Sequence, residues 1–410
     1  MKTGGDGRIG DCVILAGRDL EPLRCRSFEY EGGRITRLET DGPAAFPPVG
    51  AARVLVPGFV NAHTHAGDAF LADAATGMTL EEAFFRPNGF KYRMLADTDR
   101  ETHVDSMAEY LRGMAATGTV AHVDFREQGE EGASRLREAS ARSGVRSVIL
   151  GQLDRAPFDV AALEANEASL PEEAGRELSG LLGVADGFSE STMNDWTDAA
   201  WDEARAATDR AGKLRAIHCL ESAEYRETSV RRTGRGDLAR ALEILRPHFV
   251  VHLTVANPEE IALLAASGTP AVVNPRANAA LGLPFPPLAR LLGTGAPVLL
   301  GTDNGMLNGP SLLPELDCAY RLARSQAGEG GRIAPREILR MATGALERTP
   351  LGPEFPGRLE TGLPAHFFEV DFSSPHLRSS RDVHAALVTR LQPSDIRRTV
   401  RSGQPLFSRP

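Results

Sequence analysis

From residue 54 onward, short apolar runs alternate with longer stretches in which apolar side chains recur every three or four positions. The short runs predict strands at 54–65, 119–125, 145–153, 180–186, 214–220, 249–254, 270–275 and 297–303, with helices between them. Helix ends are legible as well. Asn257-Pro258-Glu259-Glu260 supplies an N-cap, a proline at the first helical position and a glutamate able to close a capping box, and Gly268 supplies the stop. Val104, Met107, Leu111 and Met114 carry the helical period through 101–117, and residues 196–212 repeat it. Eight strands alternating with helices predict an α/β fold, a closed TIM-like (β/α)8 barrel whose chemistry lies at the C-terminal strand ends. An open doubly wound sheet is the alternative, but no Gly-rich phosphate loop follows the first strand.

The flanks have another rhythm. Residues 11–15, 25–30 and 34–38 are β-like, broken at Gly32-Gly33 and followed by a Pro-, Ala- and Gly-rich segment over 42–52. After one more helix at 338–346, β-like runs return at 367–370, 385–389 and 400–406. The two chain ends are expected to build one small β-sandwich domain, 1–56 with 357–410, beside a barrel domain over 57–356.

Composition narrows the partners. A chain of 410 residues that is 42% hydrophobic can bury a large core, and a net charge of −9 without a basic stripe excludes nucleic acid, leaving a small-molecule substrate. Cys12, Cys25, Cys219 and Cys318 are widely spaced and are expected as reduced thiols in a cytoplasm. No apolar run approaches the roughly 20 residues that span a bilayer, and the first ten residues are no signal peptide.

Candidate chemistry collects at the strand ends. In Asn61-Ala62-His63-Thr64-His65 the two histidines share a strand face, so they can grip one ion together. His218, His252 and Asp303 each end a different predicted strand. Single histidines are often core residues, but five such groups on the rim of a barrel are hard to explain as packing. Three imidazoles and one carboxylate suit Zn²⁺ or Fe²⁺ with a position left for water, and His63, His65, His218 and Asp303 form the expected metal-ligand set. Glu221, three residues past His218, is placed to trade protons with that water, whose pKa a metal lowers from 15.7 toward about 7.

These motifs resemble the amidohydrolase superfamily, in the branch of cytosine deaminase, guanine and adenosine-type deaminases and triazine hydrolases, and the resemblance runs nearly end to end. Pro57-Gly58-Phe59-Val60-Asn61-Ala62-His63-Thr64-His65 resembles its first-strand signature and His218-Cys219-Leu220-Glu221 its His-x-x-Glu. Gly301-Thr302-Asp303-Asn304 resembles the eighth-strand motif, and Asn274-Pro275-Arg276-Ala277-Asn278 the seventh-strand loop. The resemblance implies that His252 hydrogen-bonds the attacking hydroxide or the substrate instead of ligating. It implies a homodimer or larger assembly. Residues 181–187 lack the lysine that bridges two metals in binuclear relatives, so one divalent ion per chain is expected, zinc first and iron second. Ala66-Gly67-Asp68 and His366 depart from the family pattern.

The expected reaction is hydrolytic deamination of an amino-substituted heteroaromatic ring, purine-, pyrimidine-, pterin- or triazine-like, with Glu221, His252 and Asp303 as catalytic groups. Opening of a cyclic amide or imidazolone, or displacement of another leaving group, is the alternative, and a non-catalytic metal-binding scaffold the second. Residues 66–98 form an insertion with Phe84, Phe85, Arg86, Asn88, Phe90, Lys91 and Tyr92, read as either a lid over a flat ring or an oligomer contact. Phe85, Asn88, Arg126, Arg155 and Arg276 are the expected substrate contacts. His122 and Asp124 are further groups near the pocket.

Overall fold

The computed structural model describes residues 4–46, 52–86, 88–344 and 346–409, so part of the Pro-, Ala- and Gly-rich segment, at 47–51, lies outside the described residues. Strands β1 (Gly7–Ala16), β2 (Glu21–Glu31), β3 (Arg34–Pro43) and β4 (Arg53–Pro57) come from the first chain end. The barrel strands are β5 (Phe59–His65), β6 (Thr119–Arg126), β7 (Arg146–Gly151), β8 (Gly187–Glu190), β9 (Leu214–Cys219), β10 (Phe249–His252), β11 (Ala271–Val273), β12 (Val298–Leu300) and β13 (Asp303–Asn304). The second chain end adds β14 (Phe367–Asp371), β15 (Ile396–Arg401) and β16 (Gln404–Ser408).

The chain ends meet in one seven-stranded sheet, ordered β16-β15-β14-β4-β1-β2-β3. This is the form taken by the small β unit expected of them. Ile14, Phe28, Leu55 and Phe367 fill its core, and Cys12 faces Cys25 across β1 and β2 as free thiols. The predicted strand 54–65 divides between the two sheets. At Gly58 a Cβ would stand 2.6 Å from Val120, so only glycine lets the chain pass this close as it leaves β4 and enters β5.

β5 to β12 run parallel, each beside the next, and close into a ring through the eighth strand. β12 pairs with β11, Thr302 then donates its amide to the His63 carbonyl at 3.2 Å, and β13 pairs with β5. Helices such as Arg100–Ala116, Asp198–Ala211 and Pro258–Ser267 pack outside, the last with the capping box Asn257 and Glu260 predict. Inside, Ala121, Val123, Phe125, Leu214, Ala216 and Phe249 fill the barrel with apolar volume.

Two predicted strands are helices. Residues 180–186 end the helix Glu172–Val184, and the strand that follows is the four-residue β8. Leu178, Leu181 and Leu182 form the helix's buried face, a three- and four-residue spacing that a short apolar window mimics as a strand. The run 385–389 lies in the helix Val383–Thr389, which Asp382 caps by accepting from the Ala385 amide. No helix among the described residues is long and apolar enough to cross a membrane.

Candidate metal centre

The site is built by loops that leave the strand tips under constraint. Asn61 ties the first strand to the eighth: its amide nitrogen donates to Thr302 Oγ1 at 2.8 Å, and its oxygen accepts from the Thr302 amide at 3.1 Å. That link sets His63 against Asp303. Leu220, His252 and Asp303 all have positive φ, at 53°, 80° and 65°, so three of the strand exits are held in a backbone conformation L residues rarely adopt. Thr254 Oγ1 donates to the Glu221 carbonyl at 2.6 Å and fixes one exit against another.

Four imidazoles and one carboxylate converge. Ligating atoms of His63, His65 and His218 lie within 4.8 Å of one another, as do those of His63, His252 and Asp303. His63 Nε2 is 3.2 Å and His65 Nε2 3.7 Å from Asp303 Oδ1. Phe125 forms the floor, its ring 4.4 Å from that of His63 and 4.8 Å from that of His218.

Hydrogen bonds decide which ring nitrogens carry protons. The Glu190 carbonyl, 3.2 Å from His218 Nδ1, can only accept, so Nδ1 is protonated and Nε2 offers its lone pair. Glu127 Oε1 does the same for His65, accepting from Nδ1 at 2.8 Å. His252 sits between side chains: Asn278 Nδ2 stands 3.0 Å from its Nδ1, and Glu221 Oε1 lies 3.6 Å from its Nε2. Burial holds His63 and His218 neutral with pKa values well below the imidazole range, and brings His252 down to about 3. Neutral imidazoles are the form that ligates.

The buried charges fit a cation. Asp68, Glu127, Glu221 and Asp303 surround the imidazoles, against the cations Lys91 and Arg126. The carboxyl groups outnumber the buried cations, an imbalance that a bound cation offsets. Burial, then the Asp303 charge, pushes the Glu221 carboxyl up to about 8.

Above the cluster is a small cleft of about 40 Å³ walled by Leu80, Phe84, Lys91, Tyr92, Ser191 and Tyr225. Four of these belong to the insertion 66–98, which is therefore a wall of the site. Among the expected substrate contacts, Phe85 lines an adjoining cavity and stacks on Tyr225, with ring centroids 5.8 Å apart. Arg155 is exposed beside a further cavity. Asn88 is exposed and does not line the metal cleft. Arg276 is held by Glu315 at 3.4 Å. Arg126 is fully buried behind the site, bonded to Glu127 Oε2 at 2.5 Å, because a cation this deep needs a carboxylate partner. His122 is likewise internal, between Thr64 Oγ1 at 2.7 Å and Ser147 Oγ at 2.6 Å.

Both departures from the family pattern have structural reasons. A Cβ at Gly67 would stand 1.5 Å from Arg126 Nη1, so the guanidinium occupies its place, and Asp68 accepts from Asn304 Nδ2 at 2.6 Å. His366 bridges the Glu354 carbonyl and the Ser402 amide, each at 2.9 Å, far from the cluster. Tyr225, Ser191, Leu80 and the role of Asn278 are not found by sequence reasoning. Tyr225 had a usable signal, since it lies one helical turn past Glu221. The strand tip Ser189-Glu190 carries no lysine, and the Glu190 carboxylate turns to Arg86 at 3.1 Å.

Comparison with known proteins agrees with this architecture. The Amidohydrolase family profile matches residues 54–405. A putative aminohydrolase of Methanothermobacter thermautotrophicus is 32% identical over 94% of each chain. A 5-methylthioadenosine/S-adenosylhomocysteine deaminase of Halobacterium salinarum is 28% identical over 90% of this chain and 84% of its own. The solved adenosine deaminase from Xanthomonas campestris, with bound zinc, superimposes with a TM-score of 0.79 at 22% identity, covering 98% of this chain and 92% of that one. The chain belongs to the amidohydrolase family and is a metal-dependent hydrolase acting on C–N bonds.

Proposed function

We propose that the protein deaminates an amino-substituted heteroaromatic ring, of purine, pyrimidine, pterin or triazine type, exchanging a ring C–NH₂ for C=O with water as the second reactant. The observation that carries this reading is the placement of Glu221: its carboxyl lines the aromatic-walled cleft together with His65, His218 and Asp303 and lies 3.6 Å from His252 Nε2. His63, His65, His218 and Asp303 would hold a divalent ion, zinc first. When bound, that ion lowers the pKa of a water toward about 7 and supplies a nucleophile at neutral pH.

The chain's own groups do the remaining work. Glu221 accepts the proton of the attacking water and returns it to the ring nitrogen next to the attacked carbon. Glu221 then takes the proton left on the added oxygen and passes it to the amino nitrogen, which departs as ammonia as the C–N bond breaks and C=O forms. His252 donates Nε2–H to the oxygen on the tetrahedral carbon, which Asp303 faces from the other side. Phe84, Tyr92 and Tyr225 give a flat ring apolar and quadrupolar surface on which to lie. The deaminase relative acting on 5-methylthioadenosine, by its name, supports an aminopurine as the first substrate to try. The enzyme is further proposed to work in the cytoplasm as a homo-oligomer.

Two results check this. Elemental analysis is expected to give about one transition metal per chain, and two tightly held ions would overturn the single-site reading. An ammonia-release screen over aminopurines, aminopyrimidines, pterins and triazines is expected to give turnover on at least one class. Ring opening of a lactam or imidazolone, with no ammonia from any aminated ring, would move the protein to the alternative.

A further inference from the structure

The insertion that walls the cleft carries a cation into the ligand cluster. Lys91, on the helix Phe90–Asp97, is 2% exposed. Its ammonium touches Glu127 Oε1, lies 3.3 Å from His65 Nδ1 and stands 3.7 Å from Asp68 Oδ2. The same Glu127 oxygen accepts from His65 Nδ1 at 2.8 Å, so lysine and imidazole share one acceptor. Arg126 Nη2 grips the other Glu127 oxygen at 2.5 Å. With both oxygens held by cations, the carboxylate cannot rotate, and the His65 ring is kept with Nε2 toward Asp303. The rings of Phe84 and Tyr92, 5.4 and 5.8 Å from the ammonium, shield this contact from water.

We propose that Lys91 is a positioning residue for the metal centre: by clamping Glu127 it sets the orientation and donor strength of His65. This role rests on the reading of His65 as a ligand. Removing Lys91 would leave Glu127 pinned at one oxygen only, free to swing and take the His65 ring with it. The insertion also has a latch that touches neither Glu127 nor His65. Arg86 donates to Glu190 Oε2 at 3.1 Å, to Gln152 Oε1 at 2.9 Å and to the Leu153 carbonyl at 3.0 Å. Breaking that latch loosens the same wall without touching the His65 support, which separates the two roles.

The test measures metal affinity on the full chain by chelator competition with Zn²⁺, together with the visible absorption of the Co²⁺-substituted protein. Lys91→Met is expected to weaken the metal Kd about 10- to 100-fold and to alter the Co²⁺ bands, and Lys91→Arg to recover part of both. Arg86→Met is expected to raise KM while leaving the metal Kd unchanged. An unchanged Kd and Co²⁺ spectrum in Lys91→Met overturns the proposal, and so does an equal loss of affinity in Arg86→Met. Should Lys91→Met fail to fold, Glu127→Gln, which removes the charge Lys91 clamps, must show the same weakening or the proposal falls. A wild-type protein that binds neither Zn²⁺ nor Co²⁺ overturns the metal-site reading itself, a failure distinct from that of Lys91.

Discussion

Exchange of Glu221 for glutamine is expected to cost about 10²- to 10⁴-fold in kcat while the metal content of the protein stays the same. The amide is nearly isosteric with the carboxyl, so the cleft keeps its shape, but it neither accepts the proton of the attacking water nor returns one to a ring nitrogen. KM should move little if Glu221 acts mainly in proton transfer. The magnitude follows from the proposed double duty: one group serves two transfers, and the other carboxyl lining this cleft, Asp303, belongs to the proposed ligand set. His252→Asn should also keep the metal, because His252 is not one of the four proposed ligands. It should lower kcat less than Glu221→Gln does. Steady-state kinetics paired with elemental analysis checks both variants, and loss of metal from either would reassign that residue as a ligand.

Removing a ligand should have the largest effect of all. Asp303→Asn or His65→Ala is expected to bring metal content toward zero and to abolish turnover at ordinary metal concentrations. Asp303 lies within 4 Å of two of the imidazoles, and it is the carboxylate of the four-ligand set. Stability should follow occupancy. In a metal-free site the carboxylates of Asp68, Glu127 and Asp303 outnumber the cations Lys91 and Arg126, so the native state carries uncompensated buried charge. Saturation with metal at about 1,000 times its Kd adds about 4 kcal/mol to the stability of the native state. Chelated wild-type protein should therefore melt below the metal-loaded form. Asp303→Asn should show no such shift on chelation, because it has no ion to lose. Equal melting shifts in the two proteins would place the bound ion elsewhere.

Sequence alone determined the barrel and the six groups at its mouth, because both are written in local order. Strand periodicity puts His63 and His65 on one face, and the end of an apolar run marks where β9, β10 and the eighth strand reach the rim. His218, His252 and Asp303 stand at those ends, with Glu221 three residues on. Where two local patterns coincide, tertiary structure decided. Residues 180–186 satisfy a strand by composition and a helix by spacing, and packing of Leu178, Leu181 and Leu182 selected the helix. The paths of the charged side chains were also undetermined by local order. Arg126 turns inward and Lys91 comes from 26 positions beyond His65 to share Glu127 with it, because each buried cation settles where the fold brings a carboxylate. Those pairings depend on distances between segments far apart in the chain. Only the closed barrel, with its insertion seated, brings such segments together.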